Sequence, residues 1–417
     1  MPMRKVSCSH HPAFPSQFVG RLFVGLCTVT LSVAVAVGQS DSGGIAQWEE
    51  CQASKAELLA DIVAGCSPYI AQAEKNPVLS SQLVIALIKR GRAYHISDQD
   101  ELAERDLDEA ILLNPKDAEA RQARGDMFLA LEKNDRAISD LNEAVRLDPH
   151  LPGIFMDRGL AYERIGRYAE AIQDLDSAIR MKPEDSGGYM NRGMVFAELR
   201  DFERAIQDYE EALKHDTESP YILLDRGEAY VGLGQYERAI EDYSHAIRLK
   251  QDFSYAYNDR AIAYRNLREY DLALADYTSA LALMPNAVTL HNRGYLYLIA
   301  GYYELAIDDL SEAIRRKPDF PPAYRQRAQA YSGLGQYELA LRDLDKVIQQ
   351  EPDAEVFDER GNTYKLAGME DRAVEDYSAA IRLAPDYEKA YMDRCALLRE
   401  KGQLTPALYD CWLYIAE

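Results

Sequence analysis

The sequence has little positive charge. Its 417 residues include 47 Lys and Arg against 69 Asp and Glu, which gives a formal net charge of −22. Phosphate backbones and anionic lipid surfaces repel a chain of this charge. We therefore predict no nucleic-acid partner, whereas a basic protein or peptide remains compatible with the composition.

Catalytic motifs are also missing from the sequence. The seven histidines are scattered, and there is no HExxH, GxSxG, P-loop or CxxC motif. Carboxylate pairs could be drawn almost anywhere in so acidic a chain, but on helices they most often form solvated faces. We expect no enzymatic activity, no catalytic residue, no metal site and no cofactor.

A long apolar run occurs near the N-terminus, where Arg4, Lys5 and Arg21 precede an apolar stretch over 22–37. This stretch is shorter than the roughly 20 apolar residues of a comfortable membrane span. It predicts a signal peptide over 1–38, with cleavage after Ala36 or Gly38, and hence a periplasmic or secreted protein. The alternative is an uncleaved anchor, the only case in which we expect a membrane partner.

Cysteines are few, and two of the six, Cys8 and Cys27, lie in the predicted leader. The other four form two local pairs, which fits an oxidising compartment. We predict two disulfides that fasten the ends of the chain, with four buried free thiols as the alternative. The predicted pairs are Cys51–Cys66 and Cys395–Cys411.

Two short segments precede the main body of the chain. Residues 39–47 are predicted to be a linker, since 41–47 are rich in Ser and Gly. Residues 48–79 show a helical pattern, with Pro68 predicted to break or kink it. We expect this segment to be an N-terminal helical cap that covers Val84, Leu87 and Ile88.

Residues 84–417 contain ten copies of one pattern. Successive copies are 34 residues apart, except for two intervals of 33 residues. An Arg precedes a small residue in every copy. Three residues later an aromatic follows in nine copies, twelve residues later an Ala in all ten, and a Pro closes most copies. The predicted units are 84–117, 118–151, 152–185, 186–219, 220–253, 254–286, 287–320, 321–353, 354–387 and 388–417.

Helical spacing explains one unit. Gly227 and Tyr230 lie about one turn apart on a first helix, and Ala239 and Tyr243 lie on a second. The small residues allow the two backbones to approach, and Gly234 ends the first helix in a left-handed turn. A single hairpin cannot bury both faces, so each unit must stack on the next.

These residues resemble the tetratricopeptide repeat, with a small residue, Tyr, Ala, an aromatic, Ala and Pro in that order over 34 positions. The resemblance implies an all-α fold, an α-solenoid of about ten helical hairpins in a right-handed superhelix whose first helices line a concave groove. A looser resemblance, of a Trp and two cysteines before the repeats, is to exported bacterial proteins of this type. The chain departs from the family in having Arg where the family has a leucine.

The recurring Arg has a candidate partner, because an Asp follows it by sixteen residues in every unit. We predict that Arg and Asp pair between helices, within a unit or with a neighbour, and that their role is structural. The aspartates are Asp106, Asp140, Asp174, Asp208, Asp242, Asp276, Asp309, Asp343, Asp376 and Asp410.

The family pattern also implies which side chains face the groove. In the middle of the array they are Met156, Leu160, Met190, Met194, Tyr221, Leu224, Val231, Tyr255, Asn258, Ile262, Arg265, His291, Tyr295 and Leu298. Toward the C-terminus they are polar, namely Arg325, Gln329, Asp358, Asn362 and Lys365. Methionine and tyrosine on an open wall suit a peptide-binding surface, although some of them could instead pack against each other.

Three functions follow from this pattern. The first is a non-enzymatic exported scaffold that binds protein or peptide segments in its groove. The second is a membrane-tethered envelope assembly factor, which differs from the first in keeping residues 22–37. The third is a glycan-binding protein or an accessory subunit of an enzyme, because the fold alone does not choose a ligand.

Overall fold

The computed structural model describes residues 48–52, 59–73, 80–151 and 153–403. These residues form helices joined by short turns, and they include no β-strand. The chain divides into two compact units, Met1–Val195 and Phe196–Glu417. The predicted signal peptide and linker lie outside the described residues.

Consecutive helices pair into antiparallel hairpins, and we call the first helix of a hairpin helix A and the second helix B. A helix that belongs to no repeat, α1, precedes the hairpins. In the first unit the helices are α1 Leu59–Ala73, α2 Ser80–Ile96, α3 Asp100–Leu113, α4 Ala118–Ala130, α5 Asn134–Leu147, α6 Ile154–Arg164 and α7 Tyr168–Met181. The next helix A, α8 Ser186–Glu198, contains the boundary between the units.

The second unit continues the same alternation of helices A and B. Its helices are α9 Phe202–His215, α10 Pro220–Gly232, α11 Tyr236–Leu249, α12 Ser254–Asn266, α13 Tyr270–Leu283, α14 Ala287–Ile299, α15 Tyr303–Arg316, α16 Pro321–Gly333, α17 Tyr337–Gln350, α18 Ala354–Leu366, α19 Glu370–Leu383 and α20 Glu388–Glu400. The predicted all-α solenoid of stacked helical hairpins is confirmed.

Small residues bring the two helices of a hairpin together. A Cβ added at Gly227 would lie 2.5 Å from Cε1 of Tyr243, so the Tyr243 ring occupies the space above this glycine. In the first repeat a Cβ at Gly91 would lie 2.9 Å from Cγ of Leu107. Ala103 and Ala239 on the facing helices are fully buried. Contact at these distances leaves no room for a larger residue, which explains why the position stays small.

The turn between helices A and B has a left-handed residue. Gly234 has φ of +72°, and five other repeats have a positive-φ glycine at the same place, as the sequence predicts. The remaining described turns reach the left-handed region without glycine, at Asp98, Glu132, Arg200 and Arg268 with φ between 57° and 63°. The turn geometry is therefore set by the stacking of the hairpins and not by glycine alone.

The predicted Arg–Asp pairing is confirmed in eight repeats. In each, the guanidinium of helix A donates from Nε and Nη2 to both carboxylate oxygens of an Asp on helix B of the same hairpin. The pairs, at 2.6 to 2.8 Å, are Arg90–Asp106, Arg124–Asp140, Arg158–Asp174, Arg226–Asp242, Arg260–Asp276, Arg293–Asp309, Arg327–Asp343 and Arg360–Asp376. Arg192–Asp208, divided between the two units, and Arg394–Asp410, whose Asp lies outside the described residues, stay predictions.

The same arginine also contacts the preceding repeat. Its Nη1 donates to a polar side chain on the preceding helix B, for example to Asn142 from Arg158 at 2.9 Å and to Ser244 from Arg260 at 2.9 Å. In other repeats this acceptor is an aspartate, such as Asp345 for Arg360 at 2.6 Å. One partly buried guanidinium thus joins the two helices of its own hairpin to a helix of the hairpin before it.

Helix α1 packs against α2 at the N-terminal end of the first unit. The predicted disulfide between Cys51 and Cys66 is present, and the Tyr69 hydroxyl donates to Oε1 of Gln82 at 3.0 Å. Of the break or kink predicted at Pro68, the break is wrong, because α1 continues through this proline to Ala73, and the kink stays a prediction. The second predicted disulfide, Cys395–Cys411, stays a prediction, since Cys411 lies outside the described residues.

Within each unit, successive helices A contact one another directly, as α10 does with α12 and α12 with α14. Successive helices B of the described residues do not pack against each other in this way. The side formed by helices A is therefore the more enclosed of the two. We call it the helix A face.

Candidate functional site

The predicted groove residues of the first unit are partly buried on the helix A face. Met156 and Leu160 lie on α6, and Met190 and Met194 lie on α8. The Met156 sulfur would lie 3.3 Å from a Cβ at Gly187, so this methionine already packs against the next helix A. These side chains offer a ligand only part of their surface.

In the second unit, ten predicted residues lie on three consecutive helices A. Tyr221 and Tyr255 are exposed, at 38% and 48%, whereas Leu224 is buried at 4% and offers little surface to a ligand. The others are partly buried, namely Val231, Asn258, Ile262, Arg265, His291, Tyr295 and Leu298. The exposed apolar surface is therefore concentrated at the N-terminal ends of α10 and α12.

Three aromatic rings and a lysine form a patch at this place, which we call the aromatic patch. The Phe253 ring lies 5.3 Å from that of Tyr221 and 6.5 Å from that of Tyr255, edge to face in both cases. The Lys250 Nζ donates to the Tyr221 hydroxyl at 3.0 Å and lies 5.0 Å from the centre of its ring. Edge-to-face packing holds the two exposed tyrosines in fixed positions.

Farther along the helix A face, polar contacts join α12 to α14. Asn292 donates from Nδ2 to Oδ1 of Asn258 at 3.2 Å. The Arg265 guanidinium lies 5.3 Å from the centre of the Tyr295 ring. These side chains contact each other across neighbouring repeats and are less available to a ligand than Tyr221 and Tyr255.

The polar residues predicted toward the C-terminus are also joined to one another. Arg325 pairs with Glu359 at 2.7 Å, and Lys365 pairs with Glu400 at 3.1 Å. Asp358 is fully buried and pairs with Lys389. Because these charges have partners within the protein, this part of the helix A face holds little uncompensated charge.

Three carboxylates beside the aromatic patch were not predicted from the sequence. Asp225 and Glu228 follow Tyr221 by four and seven residues on α10, so they share its stripe of the helix. Asp259 follows Tyr255 by four residues on α12. Within the described residues no Lys, Arg or His forms an ion pair with them, and Asp259 accepts one hydrogen bond, from Asn258 at 2.9 Å. We call these three the acidic trio.

The acidic trio has raised pKa values because it lies among protein atoms and other negative charges. Burial, and then the charge of Asp259, raises the pKa of Asp225 to about 7. Burial raises the pKa of Asp259 to about 6, against the opposing hydrogen bond from Asn258. The surrounding protein and the charges of Asp259 and Asp225 also raise the pKa of Glu228, whose side chain is exposed.

We expect the acidic trio to make stability depend on pH. A carboxyl whose pKa is raised in the folded state keeps its proton between about pH 4 and pH 7, where the unfolded chain has lost it. The stabilisation of the folded state by this bound proton is therefore complete below about pH 4, and it is lost as the pH rises through about 7. Replacing Asp225 and Asp259 by Asn should raise the free energy of unfolding at pH 8 by about 1–2 kcal/mol, a value reduced for screening by water.

Urea denaturation of the full chain at pH 5 and pH 8 measures this effect. The double variant should gain more at pH 8 than at pH 5. A matched control replaces Glu237 by Gln and Asp271 by Asn, two exposed acids on helices B. Equal gains at both pH values, or equal gains in the control, would contradict the expectation.

A signal for the acidic trio does exist in the sequence. The residue before the recurring Arg is acidic at Asp225 and Asp259, as it also is at Asp157, Glu359 and Asp393, but it is an amide at Asn191 and Asn292. On helix B the large residue that faces the small position is Tyr at Tyr209, Tyr243 and Tyr277, whereas the three preceding repeats have Leu. Asp225 with Tyr243 and Asp259 with Tyr277 combine the two features in successive repeats, and this combination is the signal.

Two kinds of feature are absent from the described part of the chain. No group of three His, Cys, Asp or Glu side chains among those residues is placed to hold a metal ion. None of the helices described is both long enough and apolar enough to cross a membrane.

Protein-family models match most of the repeat region. Models described as the tetratricopeptide repeat match residues 126–187, 187–218, 287–320, 321–353 and 354–387, and a model described as TPR repeat matches 227–267. The chain belongs to the tetratricopeptide repeat family. No curated protein matches this tetratricopeptide repeat chain.

Several solved structures are similar to this one. The hetero-tetramer Cut9–Hcn1 of the APC/C superposes with a TM-score of 0.50 at 14% identity, covering 82% of this chain and 73% of that one, a likeness in fold alone. A tetratricopeptide repeat protein from Parabacteroides merdae ATCC 43184 has a TM-score of 0.47 at 22% identity, covering 58% and 97%. YrrB, described as having an unusual peptide-binding site, has a TM-score of 0.38 at 23% identity, covering 44% and 95%.

Proposed function

We propose that this tetratricopeptide repeat chain is an exported, non-enzymatic scaffold that binds a protein or peptide segment on its helix A face. The aromatic patch is the observation that carries the proposal. Tyr221 and Tyr255 expose large rings that are already held in place by Phe253. Rigid, exposed aromatic rings supply contact area at a small entropic cost and commonly anchor a bound partner.

The described surface supports binding over catalysis. The acidic trio lies beside aromatic rings and consists of carboxylates alone. It includes no histidine or cysteine that could act as a nucleophile. Helices A from successive repeats offer equivalent positions at regular intervals along the face. A regular surface of this kind fits an extended segment better than a small substrate.

Export is supported by the disulfide between Cys51 and Cys66, because such bonds persist in oxidising compartments. The basic residues and apolar stretch before residue 38 also favour export, to the periplasm or to the medium. The membrane-tethered alternative requires that residues 22–37 remain in the mature chain. Sequencing the N-terminus of the mature protein distinguishes the two.

Selection from a random dodecapeptide library, displayed on phage and presented to the immobilised chain, tests the binding proposal. We expect peptides to be enriched on the native chain and to bind a Tyr221→Ser/Tyr255→Ser variant about 10- to 100-fold more weakly, since both anchoring rings are removed. The matched control is Tyr270→Ser/Tyr302→Ser, which removes two exposed tyrosines from outside the helix A face.

Three outcomes would contradict the proposal. One is that no peptide is enriched on the native chain. Another is that the selected peptides bind the Tyr221→Ser/Tyr255→Ser variant and the native chain equally well. A third is that an array of glycans is bound through Tyr221 and Tyr255 while peptides are not, which would favour the carbohydrate-binding alternative.

A further inference from the structure

The acidic trio carries charge that the protein itself does not compensate. The recurring arginines form ion pairs within their own hairpins, Arg226 with Asp242 and Arg260 with Asp276. Arg265, on the same helix as Asp259, lies against the Tyr295 ring. Once Asp225 and Asp259 are ionised, above about pH 7, the three carboxylates outnumber the two cations nearby, Arg265 and Lys250, and leave a net negative charge on this part of the helix A face.

A buried hydroxyl beside the trio is a second, independent feature. Tyr277 is fully buried between α12 and α13, and its hydroxyl has no hydrogen-bond partner within the described residues. Burial raises the pKa of this phenol, against the opposing charge of Arg265, and the charge of Asp259 raises it further. A buried hydroxyl without a partner costs about 1–3 kcal/mol and is usually satisfied by water or a ligand.

A second phenol approaches the same carboxylates from helix B. The Tyr243 ring lies directly against Gly227 of α10. After burial, the charges of Asp259, Glu228, Asp242 and Asp225 raise the pKa of this phenol. The Tyr243 ring thus packs against the turn of α10 that carries Asp225 and Glu228.

The aromatic patch already accepts a cation. The Lys250 ammonium lies 5.0 Å from the centre of the Tyr221 ring and 4.9 Å from that of Phe253. A lysine or arginine of a partner could lay its apolar stem along the other exposed ring, Tyr255, and direct its charged end to Asp259, four residues along the same helix.

We propose that the segment bound on the helix A face is basic, and that one of its Lys or Arg side chains is held by Asp225, Glu228 and Asp259. This inference rests on the proposed function, because it names the chemistry of the same partner. An extended polypeptide with spaced Lys or Arg residues matches both the charge of the trio and the rings beside it. The negative charge of the whole chain, −22, favours the approach of such a partner.

Two dodecapeptide phage libraries presented to the full chain test this inference. One library contains all amino acids, and the other omits Lys and Arg. We expect the full library to yield the tighter binders, with Lys or Arg in every strong sequence. Replacing that Lys by acetyl-lysine in a synthetic, fluorescein-labelled peptide should weaken binding by about 10- to 100-fold, measured by fluorescence polarisation.

Variants of the protein provide the second arm. The triple variant Asp225→Asn/Glu228→Gln/Asp259→Asn should bind the Lys peptide about 10- to 100-fold more weakly, and should bind the acetyl-lysine peptide as the native chain does. The control Glu237→Gln/Glu241→Gln/Asp271→Asn makes the same charge change on exposed helix B positions of the same unit. It should retain most of the affinity for the Lys peptide.

The outcomes separate the two proposals. If the library without Lys and Arg yields equally tight binders that require Tyr221 and Tyr255, the cationic inference is wrong and the proposed function stands. Equal weakening by the triple variant and the helix B control would show only general attraction to an acidic chain, which also overturns the inference. If neither library yields a binder, both proposals fail.

Discussion

Replacing Asp242 by Asn should lower the free energy of unfolding of its part of the second unit by about 3 kcal/mol. Asp242 is 7% exposed and accepts hydrogen bonds from Nε and Nη2 of Arg226, at 2.8 and 2.7 Å. Asparagine removes the charge and can accept only one of these bonds, so the guanidinium is left without a full partner between α10 and α11. Removing one member of a buried pair commonly costs about 3–5 kcal/mol.

Hydrogen exchange across α10 and α11, together with urea denaturation of the full chain, measures this loss. Glu241→Gln, next to Asp242 but exposed, is the matched control and should change little. A double variant, Arg226→Met/Asp242→Leu, should recover much of the stability, since two apolar side chains leave no unpaired charge. Native protection of both helices in the Asp242→Asn variant would contradict the structural role of the pair.

Loss of the disulfide between Cys51 and Cys66 should have an effect of similar size at the other end. The two cysteines are separated by 15 residues, and closing a loop of that length stabilises the folded state by about 3 kcal/mol. The bond ties residues 48–52 to α1, which packs on α2. A Cys51→Ser/Cys66→Ser variant should therefore expose the amides of α1 to rapid exchange.

A reducing agent gives an independent form of this test. The native chain treated with a phosphine reductant should lose protection in α1 and keep it in α10 and α11, because those helices belong to the second unit. The serine variant should not respond to the reductant. If the reduced native chain keeps full protection in α1, the bond contributes no stability there.

The fold could be predicted because its determinants recur in every copy. The Arg, the small residue and the Asp sixteen positions later return at one spacing, and the structure places them in contact in eight hairpins. A feature present in all copies supports the stacking that all copies share. The left-handed turns at Asp98 and Arg268 were not predictable in the same way, because the residues there give no local sign of that conformation.

The candidate site was predicted less completely, and for a physical reason. Tyr221 and Tyr255 could be placed on the helix A face from their spacing, but Phe253 and Lys250 lie in the connection between two repeats, where spacing indicates nothing about contact. In a chain with 69 Asp and Glu, the composition does not distinguish the acidic trio from other acidic residues. Its distinction, the absence of a compensating cation, depends on which neighbours are near in space.

The pairing of Arg and Asp inside one hairpin has a consequence for how such a chain can change in length. Because the Arg and the Asp of a pair are 16 residues apart in one hairpin, a whole repeat can be duplicated or deleted without breaking its ion pair. The Nη1 of the arginine donates to Asn, Ser or Asp on the preceding repeat, so a different repeat can take that place. Phe253 and Tyr255, by contrast, lie on either side of the boundary between units 220–253 and 254–286, and an insertion there would separate the two rings. A repeat could therefore be added at almost any boundary without loss of stability. The binding of a partner by the aromatic patch, however, excludes an insertion between its rings.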